Sequence, residues 1–190
     1  MRSRYLQRKI TEFKGLKTSR KISVIFLISL IAISQIIFII IVIVVSDTIG
    51  ILSGAVIPNG YVSINFDYTK PDDMEVNMPY YINNPGISDL TDIVLTIRLS
   101  ANYTHNITKQ SIKREIFFKT VNLGICKAWN VLQGDFEGGF GDYNINAVIT
   151  FLDEADPLES FWILGDIYLK AIYFIGLIKF TILNRDLVLI

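Results

Sequence analysis

The spacing of hydrophobic and polar residues changes character near Asp47. Before it, Ile22 to Ser46 reads ISVIFLISLIAISQIIFIIIVIVVS, with no charged side chain and with Ile, Leu, Val or Phe at 19 of 25 positions. An unbroken apolar run of this length predicts a helix in hydrocarbon rather than an amphipathic one. At roughly −0.4 kcal/mol per apolar residue near the centre, it favours insertion by about 8 kcal/mol, before small costs from its serines and Gln35. As a helix it extends about 37 Å against roughly 30 Å of hydrocarbon, so it predicts one tilted span. Its small and polar residues, Ser23, Ser29, Ala32, Ser34 and Gln35, do not share a face, which predicts a lipid-facing anchor.

After Asp47 the period becomes two. Val62, Ile64, Phe66 and Tyr68 alternate with Tyr61, Ser63, Asn65 and Asp67, and Met74, Val76, Met78, Tyr80 and Ile82 form a second set. The clearest run is Ile93, Leu95, Ile97, Leu99, Ala101 and Tyr103, opposed by Thr96, Arg98, Ser100 and Asn102. Ile145, Ala147, Ile149 and Phe151 repeat the alternation, as do Ile178, Phe180 and Ile182. One dry and one wet face is the mark of antiparallel strands. Turn residues separate the runs at Pro58-Asn59-Gly60, Lys70-Pro71-Asp72-Asp73, Asn83-Asn84-Pro85-Gly86, Gly134 to Gly141, and Asp153 to Pro157. The pattern predicts an all-β fold: an antiparallel, Ig-like β-sandwich of about seven strands without a strong helix of its own. Residues 161–183 are apolar enough to test as a second span. Asp166, Lys170 and Lys179 oppose that, at about 2.5–3.5 kcal/mol each near mid-bilayer, and Gly165 and Gly176 divide the segment into two strands.

Charge orients the span. Arg2, Arg4, Arg8, Lys9, Lys14, Lys17, Arg20 and Lys21 precede it, against the single acid Glu12. Positive flanks stay in the cytoplasm, so the expected topology is a single-pass protein of the cell membrane, N-terminus inside and C-terminal domain outside. The expected organisation is a basic tail (1–21), a transmembrane helix (22–46), a stalk or linker (47–59), left open as stalk or strand, and an extracytoplasmic sandwich (60–190). A cleaved signal peptide is the rival reading. Its apolar core would be only about 7–15 residues, and the exit offers only a weak cleavage candidate near Ser53–Ala55. In the tail, Leu6, Ile10, Phe13 and Leu16 recur at helical spacing among basic residues. They are compatible with an amphipathic segment on anionic lipid, though Gly15, Thr18 and Ser19 favour a topogenic tail without a helix.

Eight of the 18 basic residues and one of the 18 acidic residues lie in 1–21, so the remainder has 10 against 17 and is near −7. An acidic outer part lacks the clustered Lys and Arg that nucleic acid requires. The expected partners are therefore membrane lipids, through span and tail, and a protein at the outer face. Cys126 is the one cysteine; it predicts no internal disulfide and a buried thiol. His105 is the one histidine, and no G-x-S-x-G elbow accompanies it, so no catalytic set is expected. A structural zinc site needs about four Cys or His ligands, and none is expected, nor is any cofactor. The glycine-rich Gly134 to Asp142 segment lacks a Walker lysine and contains three acids, which predicts a flexible inter-strand loop rather than a phosphate cradle. Asp153, Glu154, Asp156 and Glu159 match no calcium-loop spacing and read as a solvated turn. Asn102-Tyr103-Thr104 and Asn106-Ile107-Thr108 are sequons, candidates for N-glycosylation in a loop at the strand's end.

The segment MPYYINNPGISDLTDIVLTIRL combines a strand, Asn84-Pro85, a short turn and an alternating strand. It resembles the WHy-type domain of the group 2 late-embryogenesis-abundant proteins, over roughly residues 60–190. Gly176 to Phe180 is also similar to the family's final strand pair, and several membrane-anchored relatives share the tail, span and outer domain. The resemblance implies a β-sandwich with a scaffold, binding or stress-protection role and no catalytic residues. The glycine-rich segment and the 153–159 turn are not family features. On the residues alone, Asn84, Pro85 and Gly86 read as a structural turn: Pro85 lacks an N–H and restricts Asn84, and Gly86 allows positive φ. High isoleucine content fits an AT-rich, archaeal source. Three functions are compatible with these readings. The first is a non-catalytic binding, scaffold or envelope module. The second is a carrier holding a lipid or other apolar ligand between its sheets, suggested by Phe117-Phe118, Phe161-Trp162 and Tyr173-Phe174. The third is an accessory subunit of a larger membrane assembly, such as an archaeal surface filament motor.

Overall fold

The computed structural model describes residues 18–65, 70 and 73–189. Six of the topogenic residues (Arg2, Arg4, Arg8, Lys9, Lys14 and Lys17) lie outside the described residues, as do the apolar set of the tail, Phe66, Tyr68, Pro71 and Asp72. The chain divides into two compact units, 1–46 and 47–190.

Helix α1 covers Thr18–Gly54, 37 residues. From Arg20 to Gly54 it is long and apolar enough to cross a membrane. Its apolar side chains in the span are exposed almost throughout, Phe26 by 68%. Residues 47–54, within the segment left open as stalk or strand, instead form the last two turns of α1 and belong to the second unit. Contacts within that unit explain the difference. Ile51 is fully buried, a Cβ on Gly50 would lie 3.0 Å from the Pro85 ring, and one on Gly54 3.1 Å from Asn83 Cβ. The next two residues, Ala55–Val56, form strand β1.

The second unit contains two antiparallel four-stranded sheets. In the first, β3 (Glu75–Asn84) pairs along its whole length with β6 (Asn130–Gly139). β1 and the short β2 (Ser63–Asn65) pair with opposite ends of β3, at Tyr81–Ile82 and Glu75–Asn77. The second sheet has the order β5-β4-β7-β8, with β5 at Ser111–Cys126, β4 at Leu90–Thr104, β7 at Trp162–Tyr173 and β8 at Ile178–Val188. Period two works as expected on the central strands. Ile93, Leu95, Ile97 and Leu99 of β4 are buried, as are Val76, Met78 and Ile82 of β3 and Ile163, Ile167 and Leu169 of β7. The Phe117 ring of β5 meets Phe136 of β6 edge-on, centroids 6.5 Å apart, and Tyr143 at 4.9 Å. Aromatic pairs of this geometry add to simple area burial. Residues 161–183 contain β7 and the first part of β8, as their charges and glycines required.

Two further expectations are corrected. Ile145 to Phe151 is not a strand but lies in helix α2, Ile145–Glu154. Asn144 caps it, its side-chain oxygen accepting from Ala147 N at 3.1 Å, which supplies a partner for an otherwise orphaned amide. The buried residues are Val148 and Phe151, one helical turn apart, while Ile149 is 49% exposed. A short apolar run satisfies both periods, and the cap decides between them. Gly134–Gly139, expected in a flexible loop, lies in β6, and Phe140–Asp142 is a single 3-10 turn. Here the glycines answer to packing. A Cβ on Gly138 would lie 2.5 Å from Phe117 Cζ, and one on Gly134 2.8 Å from the Tyr80 hydroxyl.

Phe117→Ala is expected to lower stability by about 3–5 kcal/mol, from lost burial plus the cavity left behind. Ile149→Ala, on the wet side of α2, is expected to stay within about 0.5 kcal/mol. Denaturant unfolding of the detergent-solubilised chain measures both, and a large Ile149 effect would restore the strand reading.

Candidate functional site

Three connections share one end of the second unit: 85–89 between β3 and β4, 127–129 between β5 and β6, and 174–177 between β7 and β8. Strand register gathers them there, because Asn84 pairs with Asn130, Leu90 with Cys126 and Tyr173 with Ile178. Asn84 is fully buried. Its Nδ2 donates to the carbonyl oxygens of Ser88 at 2.9 Å and of Cys126 and Lys127, both at 3.1 Å, and its Oδ1 accepts from Gly86 N at 3.2 Å. One amide thus ties two of the connections together. Asp47 brings in the third: its Oδ2 accepts from Ile87 N at 3.1 Å and from the Tyr173 hydroxyl at 2.7 Å. Tyr173 is fully buried. Burial, with the Asp47 carboxylate adding to it, pushes its hydroxyl up to about 12, so it stays a donor at neutral pH.

Asn84-Pro85-Gly86 does end a strand, but positive φ is not the reason for its glycine. Among the described residues the positive-φ glycines are Gly60, Gly124 and Gly176. At Gly86 a Cβ would lie 2.3 Å from the Tyr173 hydroxyl, so any other residue there would force the buried Tyr173 ring to shift. Cys126 is buried beside Asn84 with its thiol reduced; burial raises its pKa, and it packs as a small apolar group. Asp89 accepts from Lys127 Nζ at 2.8 Å and Ala128 N at 2.9 Å, and the lysine bond foremost holds its carboxyl below the usual range.

A second feature is the outward face of β5-β4-β7. Cross-strand register places Arg98 beside Phe118 and Thr96 between Thr120 and Tyr168. The Arg98 guanidinium carbon lies 5.2 Å from the Phe118 ring centre and 5.5 Å from that of Tyr168. Its Nε is 3.8 Å from Glu115, a solvated contact of little energetic weight. With Val94 and Lys170 these residues line an open concavity of about 350 Å³. A guanidinium flanked by two ring faces is pre-organised to meet a carboxylate or a planar polar group. Arg98 was legible only as a wet-face residue; its aromatic neighbours come from strands far apart in sequence.

The opposite end holds the acids of the 153–159 turn. Glu154 accepts from the Tyr103 hydroxyl at 2.8 Å and from Arg114 at 3.0 Å. Glu159 accepts from Thr104 at 3.1 Å. Asp156 is buried rather than solvated, with Lys109 Nζ and Leu158 N donating to it. The Lys109 bond first, then the backbone bond, lowers its pKa. Among the described residues no three His, Cys, Asp or Glu side chains are grouped to hold a metal ion. His105 Nδ1 accepts from Ile107 N at 3.1 Å and Thr108 N at 3.3 Å, a turn-forming role. Of the sequon residues, Asn102 lies within β4, not in a loop, and its Oδ1 accepts from Ser111 at 3.0 Å. Asn106 follows the strand, and its Nδ2 donates to Asp153 O at 3.3 Å.

No protein-family model matches this chain, and no curated protein matches it. Among solved structures it is similar to the sporulation control protein Spo0M from Bacillus subtilis, at 10% identity and a TM-score of 0.32, over 69% of this chain and 46% of that one. It is also similar to AT1g01470 from Arabidopsis thaliana, at 16% identity and a TM-score of 0.32, over 68% and 80% of the two chains. A third is red sea bream transglutaminase, at 12% identity and a TM-score of 0.29, over 67% of this chain and 16% of that one. The chain thus spans about half the length of Spo0M.

Asn84→Asp is expected to cost more than about 3 kcal/mol at neutral pH, because a buried carboxylate would replace the donor that faces three carbonyls. The loss should shrink in acid, where a protonated carboxyl donates once; thermal unfolding at two pH values reads both effects. Asp89 and Asp156 have depressed folded pKa values, so their stabilisation is full above the ordinary carboxyl range of about 4 and is lost as pH falls through the folded values. Asp156→Asn should therefore flatten the acid limb of a plot of urea midpoint against pH.

Proposed function

We propose that this chain is a single-pass, membrane-anchored β-sandwich module that binds a protein partner outside the cytoplasm without catalysing a reaction. The observation that carries the reading is α1: its uncharged stretch exposes Ile, Leu, Val and Phe side chains almost all round. Water penalises that surface heavily and hydrocarbon does not. Arg20 and Lys21 before the stretch and Asp47 after it support an N-terminus inside. The resemblance of residues 78–99 to WHy-type domains belongs to the same proposal, and so does a seven-to-eight-stranded sandwich built from the two sheets.

The Arg98 face supplies the binding surface. Arg98, Phe118 and Tyr168 combine the residue types that dominate interface energetics, and Lys170 adds a cation with open access. A partner with carboxylates beside an apolar patch fits it. A lipid carrier is less well supported. The opening lined by Ala55, Ile57, Ile167, Leu169, Ile182, Leu183 and Asn184 holds about 170 Å³, below the roughly 300–1,000 Å³ of ligand pockets.

Alkaline extraction of native membranes should leave the chain in the pellet, and protease added outside intact cells should remove residues 60–190. Release by alkali, or protection of that part, would refute the anchored topology. Crosslinking followed by affinity purification should recover a reproducible partner from the native chain and several-fold less from Arg98→Glu of equal thermal stability. Equal recovery would dismiss the face, and a partner held in fixed stoichiometry would make the chain an accessory subunit of a larger assembly.

A further inference from the structure

We propose that the loop tips beside Asp47 dip into the bilayer interface, with Trp129, Ile175 and Leu177 as the side chains that enter lipid. The inference rests on the membrane-anchor reading above. Asp47 directly follows the 25-residue uncharged stretch, and it is hydrogen-bonded to Ile87 N and Tyr173 at this same end. Asp47 therefore makes this end of the second unit, and not the opposite end, the one joined to the uncharged stretch.

The loops expose large apolar groups: Trp129 by 72%, Ile175 by 86% and Leu177 by 76%, with Ile87 beside them. The backbone shows that these residues are not there for their turn chemistry. Leu177 N donates to Phe174 O at 3.1 Å, closing a turn whose central residues, Ile175 and Gly176, have φ of 54° and 79°. That sign pattern is type I′, where Asn or Gly is the favoured first residue and a β-branched one is strained. Asn130 N donates to Lys127 O at 3.2 Å, closing a turn with Trp129 third at φ 59°. That position favours Gly or Asn as well. Two separate turns thus hold a large apolar residue outward where local conformational energy opposes it, and water gives no return for doing so. A membrane interface does, for Trp above all. Lys127 is paired with Asp89, so the contact is apolar in character, and zwitterionic lipid suffices.

The test uses the full-length chain in phosphatidylcholine vesicles whose acyl chains are brominated near the headgroup. The protein has two tryptophans, and Trp162 begins β7, about 36 Å along the strand from Tyr173 at roughly 3.3 Å per residue. Trp162→Phe leaves Trp129 as reporter, and Trp129→Phe leaves Trp162 as the internal control. Trp129 emission should be blue-shifted and quenched several-fold more than that of Trp162. Equal quenching in a chain that resists alkaline extraction overturns the proposal and spares the anchor; a chain that alkali releases takes both down. Ile175→Asn should keep or raise the thermal midpoint while weakening Trp129 quenching. Unchanged quenching in that variant removes Ile175 from the contact.

Discussion

A single buried amide organises the end of the domain that carries Asp47. Asn84 has two N–H groups and one oxygen, and all are used on backbone atoms from two connections. An unpaired polar group in that position would cost about 1–3 kcal/mol each, so the loops have little freedom to separate. Tyr173 and Asp47 extend the same network to the third connection and to the last turns of α1. The close approach of Gly86 to Tyr173 is a consequence of this arrangement. The loops need a framework of this kind, because turns bearing Trp129 and Ile175 at positive φ require surroundings that hold them in place.

The two sheets divide the work of the domain between them. Their inner faces meet through aliphatic rows and the Phe117–Phe136–Tyr143 cluster. That closeness demands Gly138 on β6, so a run rich in glycine becomes a strand instead of a loop. The second sheet leaves its outer face open, and register sets Arg98 between two rings there. At the far end, the acids of the 153–159 turn are engaged by Lys109, Arg114, Tyr103 and Thr104. Those contacts fasten α2 and its C-terminal turn to β4 and β5, so the acids act as ties within the fold.

The long strands are legible because each buries one face, and alternation over ten or more residues has no helical equivalent. β4 is the clearest case: every second residue from Ile93 to Leu99 is buried. α2 reads wrongly as a strand because four alternating apolar residues also fit a helix. Its true signal, Asn144 capping Ala147 N, is a local hydrogen bond with only a weak sequence signature. β5 escapes a reading by period because Lys113 and Glu115 occupy exposed positions while Arg114 and Lys119, both half-buried, interrupt the apolar row. Asn84-Pro85-Gly86 is visible as punctuation, but not as a hub, since its three carbonyl partners lie on chain segments as far as 43 residues away.

By itself the sequence determined the properties that depend on composition along a short stretch. The uncharged run, its basic and acidic flanks, the mostly β character of the residues beyond it, and the burial of the single cysteine all come from transfer free energy and local period. The tertiary structure decided what depends on distance between remote residues. It took residues 47–54 into a helix, turned a glycine-rich run into a strand, aligned Arg98 with Phe118 and Tyr168, and gathered three loops around Asn84. Those outcomes depend on which side chains meet in space. Strand register sets those meetings, and register is a property of the whole sheet.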